Sequence, residues 1–312
     1  MSKIDFKNAL YFFNEHVSLQ KQMINLDKEE TENRICWMDK KIIHTMEVIK
    51  DGTKVVKELG LNDSVLQFCK LSFLNHDIGR FTQMRLIGNY KDSELKEKFL
   101  SINDHGQLGK NILKAGLIRK QIPLTRVFDE SIFTIVNDHV NKRLNDSQLK
   151  ILGLDCLKNE EIYDIFNSKD KKLKSDITAS ITQIVQDVDR LDIFHQILDG
   201  RWNPLTANLE IDEKVFEMFY KGQYLDMNDL KQKGLWNANV GELVRLSFIY
   251  QIRLLSVAKV ILSENIILQL KEKRNNDKLK DAFDYTNDLL KEMINKSEDE
   301  IIVPKIKTLT QK

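Results

Sequence analysis

The sequence predicts an all-α fold, and three observations carry that expectation. Only three prolines and twelve glycines occur in 312 residues, so the usual breakers of helix are scarce. Apolar residues recur at three- and four-residue spacing in stretch after stretch, which is the period of one helix face. Several of these stretches are bounded by glycine or by a run of capping residues. At 42% hydrophobic, a chain of this length buries a substantial core as one large domain or two ordinary ones.

Taken in order, residues Phe6 to about Lys28 carry Leu10, Phe13, Val17 and Ile24 near a helical period. His16 stands beside that stripe and reads as a packing or surface residue. From Arg34 to Leu59 the series Ile35, Met38, Ile42, Met46, Ile49 and Val56 predicts a second helix that Gly60 ends, with His44 on or beside its buried face. Asn62-Asp63-Ser64 caps a helix over Val65 to Asn75, which delivers His76 and Asp77 at its end. Residues Arg80 to Lys98, around Gly88, read as a loop followed by a polar helix.

Asn103 or Asp104 caps the next helix, which runs to Ala115 with His105 in its first turn. Gly106 and Gly109 on one face of it allow another backbone to come close. Phe128, Ile132, Ile135 and Val136 place a helix over Val127 to His139, so a second histidine stands at the end of an apolar helix. Leu144 to Lys174 is polar and lysine-rich and reads as a surface insertion or crossover. Ile177 to Leu198 is the strongest helix and carries Asp187, Asp189 and Asp192. Asp187 and Asp189 are about 200° apart around it and cannot face one site together, whereas Asp189 and Asp192 can. Further helices are expected over Asp212 to Tyr220, Val240 to Leu270 and Lys278 to Asn295, followed by a charged tail, Ser297 to Lys312.

Composition narrows the function classes. Forty-eight basic and forty-seven acidic residues leave a net charge of +1, so no global field favours nucleic acid or an acidic membrane. Cys36, Cys69 and Cys156 are too few and too far apart for a disulfide framework or a zinc knuckle. No leader is expected from Met1 to Phe6, and no membrane span from the most apolar stretch, Leu243 to Leu270, which is interrupted by Arg245, Arg253, Lys259 and Glu264. The expectation is a cytoplasmic protein with no membrane partner.

Against that background His44, His76-Asp77, His105, His139 and Asp189 stand out, since four of only six histidines fall on separate helical segments, most near a helix end. The order histidine, His-Asp pair, distant aspartate resembles the HD-domain superfamily of metal-dependent phosphohydrolases. His76-Asp77-Ile78-Gly79-Arg80-Phe81, Asp104-His105-Gly106-Gln107-Leu108-Gly109 and Asp187-Val188-Asp189-Arg190-Leu191-Asp192 look like the signatures of an uncharacterised bacterial branch of it. The likeness covers about Arg34 to Gly200. It departs from that branch at Val188, where alanine is usual, and from the commoner family form at Arg80, where lysine is usual.

The resemblance implies an HD-domain helical bundle over residues 34–200, preceded by an N-terminal helix over 1–33 and followed by a helical extension over 201–312 packed on the core. It implies that His44, His76, Asp77 and Asp189 bind one metal ion, with Asp189 preferred to Asp187 because the family aspartate precedes x-Leu. His105 and His139 match positions that hold a second ion in dinuclear members, with Asp77 bridging, or that contact phosphate in some mononuclear ones. Asp77 and His105 are placed at the catalytic step. Imidazole with carboxylate suits manganese, iron, cobalt, nickel or zinc. The expected reaction is hydrolysis of a phosphoester or phosphoanhydride, a nucleotide foremost, with Arg80, Arg85, Lys110 and Lys142 as candidates for holding phosphate oxygens. A non-catalytic sensor that binds metal or nucleotide, and an oxidative di-iron enzyme of the same fold, are the alternatives.

Overall fold

A computed structural model describes residues 6–118, 129–140, 154–200, 210–273 and 276–295, and every regular element among them is a helix. The chain divides into two compact units, Met1–Val188 and Asp189–Lys312. The division falls inside one continuous helix, Lys171–Leu198.

The first unit contains α1 (Phe6–Gln22), α2 (Lys28–Glu58), α3 (Asp63–Asn75), α4 (Ile78–Ile87), α5 (Asp92–Lys98), α6 (His105–Ile118), α7 (Asp129–Asp138), α8 (Leu154–Asn159), α9 (Ile162–Asn167) and the start of α10 (Lys171–Leu198). Helix α2 begins earlier than its apolar pattern does, because Asp27 accepts a hydrogen bond from the Glu30 backbone N–H and caps it. Asn62 caps α3 in the same way, through Val65. Helices α2 and α3 pair along their lengths, α1 lies on α3 and α4, α4 on α6, and α6 on α7. Helix α1 therefore packs within this unit. Phe13 meets Phe81 edge-on, with ring centroids 5.4 Å apart, at the α1–α4 seam.

Two expectations need correction here. The stretch expected to open as a loop, from Arg80, is helix α4, which runs to Ile87 and ends where Gly88 takes the left-handed φ of 76° and its N–H reaches the Met84 carbonyl. Its core face is Ile78, Phe81 and Met84, all fully buried. The interleaved arginines, threonine and glutamine hide that period. The second correction concerns the supposed surface insertion. Its described part forms α8 and α9, whose Leu157, Ile162, Ile165 and Phe166 are core residues. Asn62 Nδ2 donates to the carbonyls of Leu157 and Glu160, and Ser64 Oγ accepts from the Ile162 N–H. The cap of α3 and this segment thus satisfy one another's polar groups, and α10 starts at Lys171, earlier than its apolar run. Lys142 and the tail from 296 onward lie outside the described residues.

The second unit holds the end of α10, then α11 (Glu213–Tyr220), α12 (Met227–Gln232), α13 (Ala238–Leu246), a 3-10 turn (Ser247–Gln251), α14 (Leu255–Ser263), α15 (Ile266–Glu272) and α16 (Asp277–Asn295). Phe219 packs against Tyr250 and Tyr285 at its core, with ring centroids 5.5 and 6.0 Å apart. The single helix expected over Val240 to Leu270 is broken three times. Arg253 is fully buried and its Nη1 donates to the carbonyls of Tyr250 and Ile252, which a continuing helix would need for itself. Asn265 then takes a left-handed φ of 51° between α14 and α15.

His16 joins α1 to α4 through a hydrogen bond of 3.2 Å between its Nε2 and Thr82 Oγ1. Burial, and then the nearby Arg85 charge, lower its pKa to about 4. Because the folded pKa lies below the unfolded value of about 6.5, the unfolded chain binds more protons between those limits. Stability is therefore full above pH 6.5 and falls as the pH drops toward 4, by at most about 3 kcal/mol from this residue. Urea unfolding of wild type and His16→Gln at pH 7 and pH 4.5 reads this out, and the variant is expected to lose less on acidification.

Candidate metal centre

Three helix ends and one helix middle converge on Asp77. His76 follows the last residue of α3, and its Nδ1 lies 2.7 Å from the Phe73 carbonyl oxygen. His139 follows α7, with Nδ1 2.8 Å from the Val136 carbonyl oxygen. A carbonyl only accepts, so each Nδ1 carries the proton and each Nε2 presents a lone pair. His105 opens α6, and its Nδ1 lies 3.1 and 3.0 Å from the two oxygens of Asp92, which commits its proton in the same way. His44 comes from within α2.

Close backbone approach makes this convergence possible. A Cβ on Gly79 would sit 2.1 Å from the His105 carbonyl oxygen, and one on Gly106 would sit 2.6 Å from that of Asn137. The glycines of the two signatures thus bring α4 onto α6 and α6 onto the end of α7.

Asp77 is buried at the centre, and its two oxygens face different partners. Oδ2 lies 3.3 Å from His44 Nε2 and 3.2 Å from His76 Nε2, with the Lys41 ammonium also against it. Oδ1 lies 3.2 Å from His105 Nε2 and 3.5 Å from His139 Nε2, with Arg80 Nε 3.7 Å away. Within each pair the two Nε2 atoms are 3.2 Å apart. Ligand atoms about 2.0–2.2 Å from one ion are separated by roughly 3.0–3.5 Å at octahedral or tetrahedral angles. Each side of Asp77 therefore has the spacing of a coordination polyhedron, and each could hold a cation.

The first-unit part of helix α10 is anchored on α7. Thr178 and Gln186 tie the helix to α7, through Ser131 Oγ at 3.1 Å and the Asp138 carbonyl at 3.2 Å. One residue past Val188, half-buried Asp189 offers an oxygen in a group with His44, His76 and Asp77 whose ligand atoms all lie within 4.8 Å of one another. Asp77, His105 and His139 form a second such group. Asp187 is fully buried and accepts a hydrogen bond from Gln183 Nε2 at 2.7 Å.

Compared with protein-family models, with curated proteins and with solved structures, the chain matches none. The site therefore rests on its own geometry.

The charges suit a cation. Burial alone would raise the Asp77 carboxyl, but the Lys41 ammonium and the surrounding imidazoles hold it well below the usual carboxylate range. Burial, reinforced by the neighbouring imidazoles, lowers the pKa of His139 and favours the neutral form that ligates. Asp92 is held down to about 2, because His105 and Arg80 outweigh the upward push of burial.

The candidate phosphate-holding cations separate. Arg80 stands beside Asp77, and its Nη1 donates to Gln83 Oε1, the Tyr90 carbonyl and Asp92 Oδ1 at 2.9, 2.7 and 3.2 Å. Arg85 lies about 140° further round α4. There its Nε donates to Gln20 Oε1 of α1 at 2.7 Å. Lys110 is half-buried, and it too is about 140° round its helix from the site-facing position, His105. Two residues escaped the sequence reading. Lys41 could have been found, since it stands one turn before His44 on the same face. Asp92 gives no local signal, because it meets His105 across a turn and a short helix.

Proposed function

We propose that the chain is a metal-dependent phosphohydrolase with two ion positions that share Asp77, as its likeness to the HD-domain superfamily implies. The single observation behind this reading is the division of labour at Asp77: one oxygen toward His44 and His76, the other toward His105 and His139. The residues fit divalent transition metals, because neutral imidazoles and carboxylates are their usual mixed donor set. His44, His76, Asp77 and Asp189 would hold one ion, and Asp77, His105 and His139 the other, with fewer protein ligands and so more room for water and substrate. Such ions acidify bound water and draw charge from a phosphoryl oxygen.

The chain's own groups set the rest. Arg80 has one terminal nitrogen fixed by three acceptors, so its guanidinium is pre-positioned beside Asp77 to receive phosphate oxygens. Lys41 adds a second positive group on the opposite oxygen of Asp77. His105 has both nitrogens committed, one to Asp92 and one toward Asp77, so it acts as a ligand and not as a proton donor. The substrate is a small phosphate compound, a nucleotide foremost. Among the described residues no helix is long and apolar enough to cross a membrane.

The test is to strip the protein of metal, reload it with manganese, cobalt or nickel, and assay nucleotides and a generic phosphodiester. Turnover is expected to return with metal and to be lost in His76→Ala. Absence of turnover in every metal form defeats the proposal, and consumption of oxygen by an iron form without phosphate release would move the chain to oxidative chemistry.

A further inference from the structure

We infer that Asp92 is a positioning residue that fixes the tautomer of His105 and so prepares one of the two ion positions. The inference rests on the metal-centre reading for its consequence, but its geometry stands by itself. Asp92 opens α5, outside the three signature stretches. Its Oδ1 accepts from the His105 backbone N–H at 3.2 Å and from Arg80 Nη1 at 3.2 Å, and its Oδ2 lies 3.0 Å from His105 Nδ1. One carboxylate therefore orients both the backbone and the ring of the same histidine, and anchors the arginine beside it.

The other two helix-end histidines have no need of such a device. His76 and His139 each donate Nδ1–H to a carbonyl of their own helix. His105 stands at the start of its helix, where the nearby backbone groups are N–H donors and not carbonyls, so no local acceptor can claim Nδ1. An N–H facing Nδ1 would leave the proton on Nε2 and block ligation. Asp92 supplies the missing acceptor from another helix, and its negative charge also raises the basicity of the ring, as outer carboxylates do for ligating histidines generally.

Asp92→Asn separates this role from a merely structural one. The asparagine oxygen also stands 3.1 Å from His105 Nδ1, but its two lone pairs are taken by the His105 N–H and Arg80 Nη1, so the amide NH₂ takes the place of Oδ2, 3.0 Å from that nitrogen. The ring then carries its proton on Nε2. Nitrogen-15 histidine NMR of the metal-free full chain reads the tautomers directly. In wild type His105 is expected as Nδ1–H, and in Asp92→Asn as Nε2–H, with His139 unchanged in both. A chelator competition with cobalt is expected to show the affinity for one of the two ions lowered about 10- to 100-fold and the other retained.

If wild-type His105 carries its proton on Nε2, the inference is overturned whether or not the variant folds. If Asp92→Asn keeps the Nδ1 tautomer and both ions, it is overturned while the metal centre stands. If wild type binds no cobalt, the metal reading fails, and the tautomer result still decides whether Asp92 positions His105. A variant in which His139 also changes marks general loss of structure and counts against a specific role.

Discussion

Asp77→Asn is expected to weaken both ion positions at once. An amide offers one oxygen and no charge, whereas the carboxylate presents Oδ2 to His44 and His76 and Oδ1 to His105 and His139. Elemental analysis after dialysis should fall from two ions per chain to fewer than one, and hydrolysis should fall by about 10³-fold or more, as when one member of a catalytic unit is removed. Single-side variants give the contrast. His76→Ala should release one ion and His139→Ala the other, each leaving roughly half of the metal in place. If His139→Ala keeps the full metal content while Asp77→Asn loses one ion only, Asp77 serves a single ion and the bridging arrangement is wrong.

Gly79→Ala is expected to give the largest stability loss of any single methyl addition at the site. The new Cβ would lie 2.1 Å from the His105 carbonyl oxygen and 2.8 Å from the Gly109 backbone nitrogen. Both obstacles are backbone, so no side chain can swing aside and α4 must move away from α6. Overpacking of this kind costs roughly 1–3 kcal/mol and occasionally more, and urea denaturation should show a lower midpoint with an unchanged slope. The same displacement carries His105 away from Asp77, so affinity for one ion should fall together with stability. A midpoint equal to wild type would mean that the two helices are not held in this contact.

The fold class was legible because scarce proline and a persistent three- to four-residue period both act locally. Helix α4 was not, since its large apolar core residues are only Ile78, Phe81 and Met84, and the buried Thr82 and Gln83 between them are polar. The segment 154–167 was missed for a related reason: its helices are of six residues each, too short to display a period, and are held by tertiary bonds from Asn62 and Ser64. At the site, the histidines and Asp77 could be singled out because few histidines exist and several sit at helix ends. Direction could not be read in the same way. Arg80 and Arg85 look equivalent as letters, yet one meets Asp77 and the other meets Gln20 on α1. Asp92 lies wholly beyond local pattern, because its role depends on where the start of α6 arrives in space.

The two histidines that follow α3 and α7 reveal an economy in how the site is assembled. Each Nδ1 proton occupies a carbonyl of the last turn, one of the acceptors that a helix terminus leaves without an intrahelical partner. The bond that closes the helix is thus the same bond that leaves Nε2 facing Asp77. Helix termination and ligand selection become one event, driven by backbone satisfaction and not by the ion. The chain can therefore reach its final histidine geometry during folding without any ion, and a cation bound there would meet donors that are already oriented.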